Sequence, residues 1–345
     1  MSNISRLESV LWEVYGKVMA EKINTTTPFL SRIEKSSDHV WGKEIRVGEL
    51  PLRSELKNLY TKMQFSDKAL RSAHGNELVR PISDEAEAAI KEASFNLQRQ
   101  LLGDSSGRIR STAELYEGMR IDVFSEKAQI MNGAVLEIDR KSNVAKLSNG
   151  RTLDFSKPAS WEAYASGAKG RELTGLAKIL SNSEELYERK RADQPVLRAK
   201  IFDKVQGEFT TAELNGILGE LESDGARTDM IMVSTDVKYA YQNYLASNRL
   251  QMDTIELTDG FKAMSFYGIP MVADRIMPKG TIYALDTSTF TLQQLCDWRW
   301  LENENGKILR GNDNGTYTAV LVKYCDLICT EPCKNARISG IEKWV

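Results

Sequence analysis

Residues 266–290 read Phe266-Tyr-Gly-Ile-Pro-Met-Val-Ala-Asp274-Arg-Ile-Met-Pro-Lys-Gly280-Thr-Ile-Tyr-Ala-Leu-Asp286-Thr-Ser-Thr-Phe290. Two short apolar runs, Ile269–Ala273 and Thr281–Leu285, flank Met277-Pro278-Lys279-Gly280. Proline in the second turn position and glycine in the fourth suit a type I turn. The stretch predicts a tight β element.

Downstream, Leu292, Leu295, Trp298 and Trp300 precede an Asn303-Glu304-Asn305-Gly306 turn. Ile308–Arg310 and Tyr317–Ile328 read as strands rich in Val, Leu and Tyr, joined through Gly311–Gly315. Upstream, Arg171–Ser265 alternates strand and helix. Thr211 is placed to cap a helix carrying Leu214, Ile217, Leu218 and Leu221. Met230–Val233 is a buried strand, followed by a helix with Val237, Tyr241, Tyr244 and Leu245 on one face. Met119–Phe155 is a β module of four strands, marked by Ile121/Val123, Leu136/Ile138, Val144/Leu147 and Leu153/Phe155. Turns fall at Lys141-Ser142-Asn143 and Asn149-Gly150. A small nucleic-acid-binding barrel would need exposed aromatics and a basic face. The module's balanced charge favours a structural insertion.

The clearest helix runs over Pro81–Leu102, with Ser83 as cap. Ala86, Ala89, Ile90, Ala93, Leu97 and Leu101 form one stripe, and Gly103 is the stop. Between Asn24 and Ala73 the apolar content is thin. Thr25–Leu30 reads as extended, Trp41–Val47 alternates, Leu59–Ala69 alternates weakly, and charges lie between. A solvated hairpin accounts for this region. At the start, Leu7, Val10, Leu11, Val14 and Val18 give an amphipathic helix over Arg6–Ala20. It docks either on its own domain or on a neighbouring subunit.

These 345 residues are too many for one core, so two or three subdomains are expected. Hydrophobic content of 41% with 27% charged residues excludes a disordered chain. A net charge of −2 excludes a global basic field for gripping nucleic acid. No run of about 18 apolar residues is present, so no membrane span is expected. The N-terminus carries acids and no signal-like apolar core, which predicts action in the cytoplasm.

Catalytic chemistry has little to stand on. Only His39 and His74 exist, both in the polar hairpin region. Gly-x-Ser-x-Gly, His-Glu-x-x-His and a strand-linked Gly-x-Gly-x-x-Gly are absent. The Gly103–Gly107 run lacks the Lys-Ser/Thr ending of a phosphate loop. Cys325, Cys329 and Cys333 sit four apart, which on a strand separates neighbours by about 13 Å. Zinc needs thiolates at about 2.3 Å from one centre, so buried thiols are the expectation. No catalytic, cofactor or metal residue is assigned.

The Gly268-Ile269-Pro270, Asp274, Pro278-Lys279-Gly280 and Ile282-Tyr283 sequence resembles the returning segment of tailed-phage major capsid proteins of the HK97 fold. The resemblance continues through Trp298, Trp300 and Tyr317–Ile341, and earlier through Pro28-Phe29-Leu30, Leu102–Gly107 and Leu173–Leu180. It implies an α+β fold with an N-terminal arm (1–23) and an extended hairpin, the E-loop region (24–80). A peripheral domain starts at 81–170, with a spine helix (82–102) and a β insertion (119–155). An axial domain covers 171–265, and the chain returns to the peripheral domain at 266–345.

The implied function is self-assembly into an icosahedral head around viral double-stranded DNA, as a virion component assembled in the host cytoplasm. Implied partners are copies of itself as hexamers and pentamers, a portal, separate scaffold and decoration proteins where assembly uses them, and packaged DNA held without sequence-specific binding. Arg46, Glu49, Arg53 and Lys57 are candidates for charge pairs with an adjacent subunit. Each is equally readable as a solvated surface charge worth about 0–1 kcal/mol. Deleting Lys43–Ala69 is expected to spare the fold and abolish assembly. Two rival readings stand beside this one. An encapsulin-type compartment would hold an enzyme cargo in place of DNA. An α/β enzyme with a β insertion would be a compact monomer or dimer that turns over a ligand.

Overall fold

The computed structural model describes residues 11, 16–25, 27–47, 52–68, 79–125, 128–157, 160–256, 262–302, 308–312 and 315–345. The expectations for Leu7, Val10 and Val14, for His74, for Glu49 and for the 303–306 turn fall outside these residues. The chain divides into two compact units. One comprises Met1–Gln98, Leu257–Phe261 and Phe290–Ile328. The other comprises Arg99–Glu256, Lys262–Thr289 and Cys329–Val345.

The first unit is built on a five-stranded sheet. The Phe290–Trp300 strand pairs in parallel with Glu34–Ser36, and the sheet continues through Thr316–Cys329 to Arg310–Asn312. Lys57–Ser66 pairs antiparallel with Thr316–Cys329 over ten residues, from Lys57↔Cys325 to Ser66↔Thr316. That strand alternates strictly: Leu59, Thr61, Met63 and Phe65 are buried and the residues between them are exposed. Thr61 donates to the Ala89 carbonyl of the long helix at 3.4 Å.

That helix spans Val79–Leu102, and Ala86, Ala89, Ala93, Leu97 and Leu101 are buried as its stripe predicts. It begins before Ser83, which therefore lies inside it and not at the cap. Thr25 and Pro28–Leu30 are not extended either. Helices Gly16–Thr25 and Pro28–Arg32 contain them, with Pro28 in the first turn, where its missing N–H costs nothing.

The 57–66 strand corrects the expectation for the hairpin region. Its alternating residues are core, because a full ladder against an apolar strand buries one face completely. Deleting Lys43–Ala69 would thus remove a sheet strand, and sparing the fold is not the expected result. Only Val40–Trp41, Glu44–Val47 and Leu52–Glu55 form a separate, small antiparallel sheet.

In the second unit, a seven-stranded sheet runs in the order Lys200–Phe209, Ala336–Trp344, Ile282–Leu285, Met230–Ser234, Ile269–Asp274, Lys262–Phe266, Thr254–Glu256. Met230–Ser234 is buried along its whole length, as a continuous apolar run predicts. It lies between the two strands of the opening stretch, parallel to Ile269–Asp274 and antiparallel to Ile282–Leu285. The expected tight β element is therefore split by a strand some forty residues upstream. The same sheet joins 230–234 to 269–285, across the boundary read at 265/266. Gly280 has φ +65°, and a Cβ there would meet the Ile341 carbonyl oxygen at 2.6 Å. Its N–H donates to Asp236 Oδ2 at 2.8 Å, in the first turn of the Thr235–Ser247 helix.

Thr211–Ser223 and Thr235–Ser247 pack their apolar faces into the core of this sheet with Phe209, Ile338 and Trp344. The cap of the first is Thr210, not Thr211. Thr210 and Glu213 form a reciprocal capping box.

The β module holds the four expected strands, Arg120–Ser125, Ala128–Asp139, Val144–Leu147 and Thr152–Asp154. Arg108–Ile109 and Glu162–Ala165 extend it to a six-stranded sheet. Leu136, one of the strand markers, is 59% exposed, and its neighbour Val135 is buried. The register shifts between Val135 and Glu137, so Leu136 is the extra residue of a bulge.

Candidate functional site

The candidate contact residues lie in the first unit. Glu44–Val47 and Leu52–Glu55 pair so that Glu44 faces Glu55, Ile45 faces Ser54, Arg46 faces Arg53 and Val47 faces Leu52. Period-two alternation then separates two faces. Ile45, Val47 and Leu52 are buried, whereas Arg46, Arg53 and Glu55 are exposed. Arg46 Nη2 is 2.8 Å from Glu44 Oε2, and Lys43 Nζ is 3.9 Å from Glu55 Oε1. The hydrogen bond and charge of Arg46 hold the Glu44 carboxyl below the usual range. Like charges directly opposite each other are unfavourable within a sheet. On this face the Glu44–Glu55 rung lies beside the Arg46–Arg53 rung, and Arg46 is paired with Glu44.

The four sequence candidates are not one cluster. Arg46 and Arg53 are brought together on the exposed face. Lys57 is half-buried on the core strand and faces Cys325 across the ladder. Glu49 lies outside the described residues.

Trp41, on the small sheet, is 69% exposed and was not among the candidates. An exposed tryptophan beside a charged face is the kind of anchor that interfaces use.

Two buried polar groups behind this region were also missed. Ser54 donates its hydroxyl to Asp326, which is fully buried. Lys323 is 0% exposed, and its Nζ donates to Asp297 Oδ1 at 2.6 Å and to Asn24 Oδ1 at 3.4 Å. Asn24 Nδ2 donates to both Asp297 oxygens at 3.0 and 2.9 Å. Burial pushes the Asp297 carboxyl up, but the Lys323 ammonium and these hydrogen bonds outweigh it and leave it below 3.8. The signal was available: Lys323 and Asp326 interrupt an otherwise apolar run.

Among the described residues, no group of three or more His, Cys, Asp and Glu side chains is placed to hold a metal ion. The four cysteines are free thiols. Burial pushes the Cys325 and Cys329 thiols up to about 12, which suppresses the reactive thiolate at neutral pH. No described helix is long and apolar enough to cross a membrane.

Comparison with known proteins gives a family match. The model of the SU10 major capsid protein family matches residues 105–322. A capsid chain of cyanophage A-1(L) aligns with TM-score 0.54 at 12% identity, covering 90% of this chain and 91% of that one. The encapsulin of the holo-SrpI complex from Synechococcus elongatus PCC 7942 aligns with TM-score 0.51 at 11% identity, covering 92% and 89%. At such identities the likeness is one of fold, and it is the α+β shell fold of HK97 type. No curated protein matches the chain.

Proposed function

The chain belongs to the SU10 major capsid protein family, and from that premise we propose that it builds the icosahedral shell of a phage head by repeating contacts between identical subunits. Closed symmetry asks only for one surface that complements itself under rotation, so the function requires no active site. The single observation that carries the reading is the family match over residues 105–322. Fold likeness alone does not choose between a phage head and an encapsulin, because both kinds of shell align comparably.

The finer reading has four parts. The subunits form hexamers and pentamers. The head encloses double-stranded DNA without reading its sequence, and the low net charge supports that looseness. A portal and separate scaffold or decoration proteins complete the particle, which assembles in the host cytoplasm. The 40–55 sheet reaches a neighbouring subunit, with Arg46, Arg53 and Glu49 in charge pairs, Trp41 as apolar anchor, and Lys57 at the margin. Support for the last part is the like-charge pairing of the exposed face and the exposure of Trp41.

The test is size-exclusion chromatography with negative-stain imaging of the purified chain, with and without co-expressed scaffold. Closed shells are expected, and particles from infected cells should contain nuclease-protected DNA. A monodisperse monomer or dimer under all these conditions would refute the proposal. Shells filled with an enzyme cargo and no DNA would favour the encapsulin reading.

A further inference from the structure

The second unit contains a cavity of about 340 Å³. Six cations line it: Arg99, Arg110, Arg140, Lys141, Arg275 and Lys279. One carboxylate, Glu114, lies among them. They converge from four segments. Arg99 ends the long helix, and Arg110 follows the 108–109 strand. Arg140 and Lys141 sit on the turn after Ala128–Asp139, and Arg275 and Lys279 on the connection after Ile269–Asp274.

Part of this charge is answered internally. Arg99 forms a buried ion pair with Glu172, and Arg110 pairs with Asp104. The rest is not. Among the described residues, Arg140, Lys141 and Lys279 have no carboxylate within ion-pair distance. Arg140 Nη2 donates instead to the neutral Leu115 carbonyl, at 3.3 Å. Arg99 is 3% exposed, and its Nε has no hydrogen-bond acceptor. Burial, then the charge of Arg140, lowers the pKa of Arg275, so the two guanidinium groups feel each other. A concave wall of like charges, with one buried donor unmet, is completed by an anion.

We propose that this cavity binds a phosphate-bearing anion. Guanidinium forks match phosphate oxygens in pairs, and lysines add point charge. The volume lies at the small end of ligand pockets, which suits one or two phosphate groups and excludes a folded partner. The chain's net charge of −2 makes the attraction local, not a property of the whole surface. The inference is independent of the shell reading. The phosphate comes either from a free small molecule or from a nucleic-acid backbone.

The experiment is calorimetric titration of the full-length chain with inorganic pyrophosphate at constant ionic strength. One saturable site per chain is expected. The Arg140→Gln/Lys279→Gln double variant should weaken binding on the order of tenfold or more, as loss of charge-assisted contacts requires. Arg151→Gln, a cation on the same module outside the cavity, should bind as wild type. If the double variant fails to fold, Lys141→Gln alone, at an exposed turn, should still show weakened binding. A short DNA duplex that competes with pyrophosphate identifies polymer phosphate as the source, and one that does not compete identifies free phosphate. Both results support the site. Absence of saturable binding, or equal weakening by Arg151→Gln, overturns it.

Discussion

Residues 40–55 and 57–66 are neighbours in sequence with similar mixtures of charge and apolar side chains, yet they have opposite relations to the fold. Lys57–Ser66 is a core strand, zipped along ten residues to Thr316–Cys329 with every second side chain buried. Among the described residues of 40–55, Val40–Trp41, Glu44–Val47 and Leu52–Glu55 pair with one another and present charge on one face. Alternation is equally good in Glu44–Val47 and in Lys57–Ser66, so alternation alone does not separate a core strand from a projecting one. The partner strand does. An apolar partner from the far end of the chain turns one ribbon into core, whereas the other buries Ile45, Val47 and Leu52 and keeps Arg46, Arg53 and Glu55 exposed.

The comparison breaks most visibly under a charge in the core ribbon. Met63→Asp places an unpaired carboxylate where the side chain is 1% exposed, and should cost about 3–5 kcal/mol. Urea denaturation followed by tryptophan fluorescence would measure it. A loss under 1 kcal/mol would show that the strand is not core.

Behind the ribbons, the Lys323–Asp297 pair should respond asymmetrically. Asp297→Asn strands a fully buried ammonium and should cost about 3 kcal/mol, whereas Lys323→Met leaves a part-exposed carboxylate that water can solvate and should cost less than half as much. Equal costs would contradict that burial argument. The pH dependence has a definite sign. The folded carboxyl of Asp297 titrates below its ordinary 3.8, so its contribution is complete above that value and fades as pH falls through the lower folded value. Denaturation midpoints of wild type and Asp297→Asn should converge as the pH is lowered below 3.8.

The Leu56 N–H donates to the Lys43 carbonyl at 2.8 Å, so Glu44–Glu55 can be replaced by two glycines without stretching the chain. The expected result is a cooperative unfolding transition lowered by several kcal/mol, because buried Ile45, Val47 and Leu52 and the Ser54 hydrogen bond to Asp326 are lost. Imaging should show no closed shells.

Smallest for the fold is Arg46→Glu with Arg53→Glu. A stability change within about 0.5 kcal/mol is expected for exposed charges, together with a clear fall in shell yield. Unchanged assembly would return these residues to the status of solvated surface charge.

Much of the fold was legible where the cause is local. The helical stripe from Ala86 to Leu101, the continuous apolar run of Met230–Ser234 and the Asn149-Gly150 turn each carry their structure within one short stretch of chain. What stayed hidden depends on distant partners. No local signal places Met230–Ser234 between the two strands of the 266–290 stretch, or pairs residue 57 with residue 325. The bulge at Leu136, which makes Val135 the inward residue, has no local signal either. Arg46 and Arg53 do share one face, but Trp41 was passed over as part of an alternating strand, and the buried Lys323 network was read as strand interior.

Hydrogen–deuterium exchange on dissociated subunits and on intact shells tests the division between the two ribbons most directly. Amides of residues 57–66 should exchange slowly in both states, and those of 44–47 and 52–55 quickly in the free subunit but slowly in the shell. Slow exchange of 44–55 in the free subunit, or no change on assembly, would contradict the account.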